Sequence, residues 1–112
     1  MIPHTYHFAT LNHEKSACCI AGFHQLTGEE ASYIRILVDA FIQSAQDTLY
    51  IDAKEVREAD LSGINEIIHS HYRLQMATKR LVLVYRKATS LEKWVQTTRL
   101  DHFIDTALIP AT

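Results

Sequence analysis

Apolar residues recur along the chain in two rhythms, one of threes and fours and one of short unbroken runs. After Thr27 they fall at Ala31, Ile34, Leu37, Val38, Phe41, Ile42 and Ala45. These steps place them on one side of a helix, with Arg35, Asp39, Gln43 and Gln46 on other faces. Thr27 followed three residues later by Glu30 has the pattern of a capping box, so the helix is predicted to start there and to run to about Gln46. A second helix is predicted from near Ser62 to about Ala77, with Ile64, Ile67, Ile68, His71, Leu74 and Gln75 along its inner side. Ser62 and Asp60 are both candidate caps for it. A third opens at Thr89 or Ser90, carries Leu91, Trp94 and Val95, and ends by about Arg99.

The runs between the helices read as strands. Residues 16–23 contain Ala17, Cys18, Cys19, Ile20 and Ala21, and Gly22 ends or bends that strand. Residues 48–51 form a second run that closes on Asp52. Residues 80–85 are almost unbroken in apolar side chains, as a central strand beneath helices should be. Fainter signals place an edge strand at 4–9, a polar turn at 11–16, a loop at 53–60, and a short last strand after Leu100, Phe103 and Ile104, ended by Pro110. The order is strand, strand, helix, strand, helix, strand, helix, short strand. It predicts an α/β fold: a mixed, mostly parallel sheet of four to five strands, with right-handed crossovers and helices largely on one face. At 112 residues the chain is read as one domain, 1–112.

Composition narrows the function classes. Apolar residues make up 47% and charged residues 21%, which suits a packed globule and not a disordered chain. Eleven basic residues stand against 13 acidic ones, a formal net charge of −2, so the basic excess of an unaided nucleic-acid binder is missing. No run approaches the ~18 apolar residues of a membrane span. The first residues lack the basic start and apolar run of a signal peptide, so the expected location is cytoplasmic, with no membrane insertion. Cys18 and Cys19 are adjacent in a strand and point to opposite faces, which places them poorly for a mutual disulfide. Neither cysteine belongs to a CxxC metal spacing.

Chemistry-bearing residues are scattered. His69 and His71 lie about 200 degrees apart around a helix and cannot share one ion. Cys19 with His24 is the one pair offering a nucleophile and a base, on weak sequence grounds. Glu29 and Glu30 suit the first turn of a helix. Asp52 and Asp60 alone make a poor site for a hard cation such as Mg²⁺. Arg73, Lys79, Arg80, Arg86, Lys87, Lys93 and Arg99 make the C-terminal half basic, while residues 47–66 are acidic; such a split suits docking to a protein of complementary charge. Tyr85 and Trp94 read as packing residues and not as base-stacking platforms.

Residues 49–68, LYIDAKEVREADLSGINEII, resemble the STAS domain, the anti-sigma-factor antagonist family. In that family a buried strand ends in Asp, a loop with one hydrophobic anchor follows, and Asp-Ser-Ser-Gly opens a helix eight residues after the first Asp. Here Asp52 matches the strand-end acid, Val56 the anchor, and Asp60-Leu61-Ser62-Gly63 the signature at the same spacing. Gly22, the strand at Leu81-Val82-Leu83-Val84, and Leu100-Asp101-His102-Phe103-Ile104 extend the likeness to residues 16–106. Arg99 stands where the family has the glycine of a Gly-Leu-Asp turn.

The resemblance implies a protein-interaction adaptor, not an enzyme, with no cofactor and no metal. Its docking surface would be Val56, Asp60, Leu61, Ser62, Gly63, Asn65 and Glu66, with Asp52 and Asp60 organising the loop. The implied partner is a kinase-like anti-sigma factor, so the adaptor would regulate transcription without touching DNA. In regulatory members the first Ser of the signature is phosphorylated. Leu61 occupies that position here and has no hydroxyl, which leaves Ser62 as the candidate phosphoacceptor. A phosphate there would gain from the helix N-terminus and would be repelled by Asp52 and Asp60. Alternatives from the same resemblance are a STAS subunit bound to the cytoplasmic ATPase of a membrane lipid ABC transporter, and a scaffold in a stress-signalling assembly. A small hydrolase or nucleotide-binding enzyme ranks last. An exposed sheet edge or an uncovered face leaves room for a homo-oligomer.

Overall fold

The computed structural model describes residues 4–7 and 17–111. Its elements are β1 (His4–His7), β2 (Ala17–Ala21), β3 (Gln25–Leu26), α1 (Gly28–Ile42), β4 (Thr48–Asp52), β5 (Glu58–Ala59), α2 (Leu61–Met76), β6 (Arg80–Arg86), α3 (Ser90–Thr98), a 3₁₀ turn (Leu100–His102) and β7 (Asp105–Ile109). The main sheet has the order β1-β2-β4-β6-β7. β1 is antiparallel to β2, and the remaining neighbours are parallel. This is the mixed, mostly parallel α/β sheet that the element order predicts. The polar turn at 11–16 and the last residues of the 4–9 strand lie outside the described residues.

One face of the sheet holds the core. Cys18 and Ile20 of β2, Leu49 and Ile51 of β4, and Leu81, Leu83 and Tyr85 of β6 alternate along their strands, so all project to the same side. There they join Ile34, Val38 and Phe41 of α1, Ile64, Ile67 and Leu74 of α2, and Leu91 and Val95 of α3 in a single cluster. The three helices therefore cover that face together. Cys19 points the other way, both thiols are free, and both are buried. No helix of the described residues is long and apolar enough to cross a membrane.

The helix ends have local causes. Glu30 is buried and turns back onto Thr27, accepting from its hydroxyl at 2.5 Å and from its backbone N–H at 3.4 Å in a capping box. α1 stops at Ile42, earlier than Gln46. Its last N–H groups bond three residues back, to the Ala40 and Phe41 carbonyls, and the Ser44 hydroxyl also donates to Phe41 O at 2.7 Å. Lys79 then takes up the Ser44 and Gln46 carbonyls and lies over the Phe41 ring. In α2 the buried side is Gly63, Ile64, Glu66, Ile67, Ser70 and Leu74. Gln75, expected on the inner side, is exposed, because packing against α1 turns the helix toward Gly63, Glu66 and Ser70. Arg99 ends α3 in a left-handed conformation, φ 56°, the geometry for which glycine is the usual residue.

Two short strands inside expected loops pair with each other. β3 and β5 run parallel, with Gln25 opposite Glu58 and Leu26 opposite Ala59. The Arg57 N–H donates to His24 O at 2.8 Å and the Asp60 N–H to Leu26 O at 3.1 Å, extending this ladder at both ends. The indole N–H of Trp94 reaches Ala59 O at 3.1 Å, so α3 fastens β5 from outside. This second sheet sets the position at which α2 begins.

Candidate functional site

Asp60 caps α2. Its carboxylate accepts from the Gly63 N–H at 2.9 Å, which satisfies one of the free donors of the first turn. Asp60 and not Ser62 is thus the cap, and the Ser62 hydroxyl stays on the surface. Gly63 is buried. A Cβ built there would lie 1.9 Å from Leu26 O, so the first turn of α2 rests directly on the β3 backbone. With Asp60 and Gly63 holding the turn from inside, Leu61 is forced outward and is 57% exposed. Leu61, Ser62 and Asn65 form the outer face of this first turn.

The seven expected docking residues divide in two. Asp60, Leu61, Ser62 and Asn65 are on the surface. Val56 is 1% exposed and belongs to the core cluster, which corrects its place in the docking surface: it anchors the 53–60 loop to the fold. Glu66 is 3% exposed and Gly63 is buried, so neither offers a side chain to a partner. Glu66 instead ties the two helices together. Arg35 of α1 donates to its carboxylate at 2.7 and 3.1 Å, and the Ser70 hydroxyl adds a contact at 3.3 Å.

Between the start of α2 and the neighbouring turns of α1 runs a shallow groove of about 310 Å³, lined by Gly28, Arg35, Ser62, Asn65, Glu66 and His69. Gly28, Arg35 and His69 were not expected at this surface. No local pattern marks them, because the groove exists only once α1 and α2 lie side by side. The Arg35 side chain, 61% exposed, is its cationic feature, and Leu61, exposed as well, precedes the lining residue Ser62 in the chain.

Asp52 organises the preceding loop. At the end of β4 it accepts from the Lys54 N–H at 3.2 Å and forms an ion pair with Lys54 Nζ at 2.8 Å. Asp52 and Asp60 are engaged separately, one by Lys54 and the other by the α2 backbone. Among the described residues no three His, Cys, Asp or Glu side chains gather as a metal site would need. Burial, and then the nearby Asp52 carboxylate, push the Cys19 thiol up to about 12. A cysteine nucleophile needs the opposite shift, so the Cys19–His24 pairing has no chemical support. Two of the seven C-terminal cations are paired with carboxylates: Arg73 with Asp39, and Arg80 with Asp105.

Comparison with models of known families finds no match to this chain, and comparison with curated proteins finds none either.

Proposed function

We propose that this protein is a non-enzymatic adaptor of the STAS type, resembling an anti-sigma-factor antagonist, that docks through the outer face of the first turn of α2. The single observation that carries this reading is Leu61. A large apolar side chain stands in solvent at the first helical position, on a turn held by a cap and a close backbone contact. Exposed apolar groups set on rigid elements are what an interface uses as anchors. The groove beside Leu61, with Ser62, Asn65 and Arg35, would supply the polar rim. The partner implied by the resemblance is a kinase-like anti-sigma factor, held away from its sigma factor in the cytoplasm.

One observation favours a second reading. The position that carries the phosphoacceptor in regulatory members is Leu61, so the contact would be permanent instead of switched. A permanent contact suits a subunit bound to the ATPase of a lipid transporter. Affinity capture of the tagged full chain from its native host, with mass spectrometry of bait and partner, separates the two. Recovery of a kinase-like anti-sigma protein supports the first, and recovery of a transporter ATPase with unmodified bait supports the second. Bait carrying one phosphate on Ser62 would return the switch to that residue.

A further inference from the structure

Among the described residues β7 is an edge strand, and the groups it turns outward are arranged to meet their own copy. The Lys87 N–H donates to Ile109 O at 2.8 Å, so Ile109 faces β6. By the alternation of a parallel ladder, Asp105 and Ala107 also face β6, and Thr106 and Leu108 present their N–H and C=O groups to the free edge. Natural edge strands are blunted by lysines, bulges or proline within the strand. β7 has none of these, and its one charged residue, Asp105, is neutralised by Arg80 at 2.6 Å.

We propose that β7 pairs antiparallel with β7 of a second copy about a twofold axis at Ala107, joining the two sheets. That register sets Thr106 of each copy across from Leu108 of the other, so both outward residues of each strand exchange both of their hydrogen bonds. The neighbouring registers are poorer. A shift one way sets Thr106 across from Pro110, which has no N–H. A shift the other way sets Leu108 across from Ile104, which precedes the strand and is buried. At the axis the two Ala107 residues form the closer, non-hydrogen-bonded kind of pair, where a small side chain fits.

Apolar surface agrees with the same occupant. An axis normal to the sheet keeps the helices of both copies on one side. Strand pairing over five residues falls short of the roughly 1,200–2,000 Å² of a stable interface. The remainder comes from apolar groups beside the seam. Of the six large hydrophobics that stand exposed among the described residues, Leu108 is on β7, Phe103 precedes it, Tyr72 stacks on Phe103 with ring centres 6.5 Å apart, and Met76 follows Tyr72 by one helical turn. The twofold brings Leu108 of each copy toward the Phe103–Tyr72 pair of the other.

Sedimentation equilibrium of the full chain over a micromolar concentration series tests this, alongside Leu108→Lys and Ala107→Cys. The wild type should approach twice its 12.8 kDa mass. Leu108→Lys, which places two lysines diagonally across the seam, should weaken association by at least about tenfold with an unchanged circular dichroism spectrum. Ala107→Cys should form a covalent dimer under mild oxidation, because residues facing each other at the axis meet disulfide geometry; Thr106→Cys should not. A wild type that stays monomeric throughout overturns the proposal. So does a dimer that Leu108→Lys leaves intact and Ala107→Cys does not cross-link. The proposal is independent of the docking function of Leu61.

Discussion

Gly63 illustrates how one residue places a surface. With the Leu26 carbonyl 1.9 Å from where a Cβ would be, the start of α2 reaches β3 only because no side chain intervenes. Backbone cannot yield as the tip of a flexible side chain can. Gly63→Ala is therefore expected to lower unfolding free energy by about 3 kcal/mol or more, read from denaturant midpoints. An unchanged midpoint would show that α2 does not bear on β3 as described. Cys19 gives a second prediction. Burial and Asp52 raise its folded pKa to about 12, above the ordinary thiol value of 9.0. Between those values the folded state holds a proton that the unfolded state has lost, so this contribution is fully present below pH 9 and is lost as pH rises toward 12. Stability measured along an alkaline series should fall less steeply in Cys19→Ala than in wild type, and identical slopes would remove Cys19 from the cause.

Helices α1 and α2 are joined across the candidate groove by Arg35 and Glu66. The carboxylate is buried and the guanidinium is mostly in water, so the two ends of the pair are not equivalent. Arg35→Ala leaves a buried charge served, among the described residues, by Ser70 alone, and is expected to cost roughly 1–3 kcal/mol. Glu66→Gln in the same background should recover part of that loss, because it removes the charge and keeps the shape. A double-mutant cycle with no coupling would contradict the contact. At this scale the sequence was informative where a pattern runs long. α2, α3 and β6 are legible from spacing, as is the capping box of α1. The two-residue strands β3 and β5 carry no pattern, since their pairing is made by chain segments more than thirty residues apart. The Arg35–Glu66 bond is hidden for the same reason. Asp60 as the cap, and the left-handed turn at Arg99, each occupy a position that the resemblance had singled out without fixing its geometry.

Over the whole molecule, the α/β class and the side on which the helices lie follow from element order and one-sided stripes. The surfaces are less legible. The resemblance put Val56 and Glu66 in the docking surface, but one fills the core and the other is drawn in by Arg35. The exposed aromatic side near Tyr72 and Phe103 has no sequence signal, because those residues meet only when the 3₁₀ turn packs beside α2. Among the described residues the exposed large apolar side chains are Leu61 at one end of α2, the β7 edge with Tyr72, Met76 and Phe103 toward the other, and Ile36 on α1. The central claim concerns the first. It is tested most directly by capturing partners from the native host with the wild type and with Leu61→Asp side by side, after measuring the thermal unfolding of both. Leu61 is exposed, and an acid in a first helical turn is well tolerated, so the unfolding midpoints should agree to within about 0.5 kcal/mol of stability. The captured partner should be lost with the variant. Retention of the partner at wild-type level, or unfolding of the variant, would show that the first turn of α2 is not the docking surface.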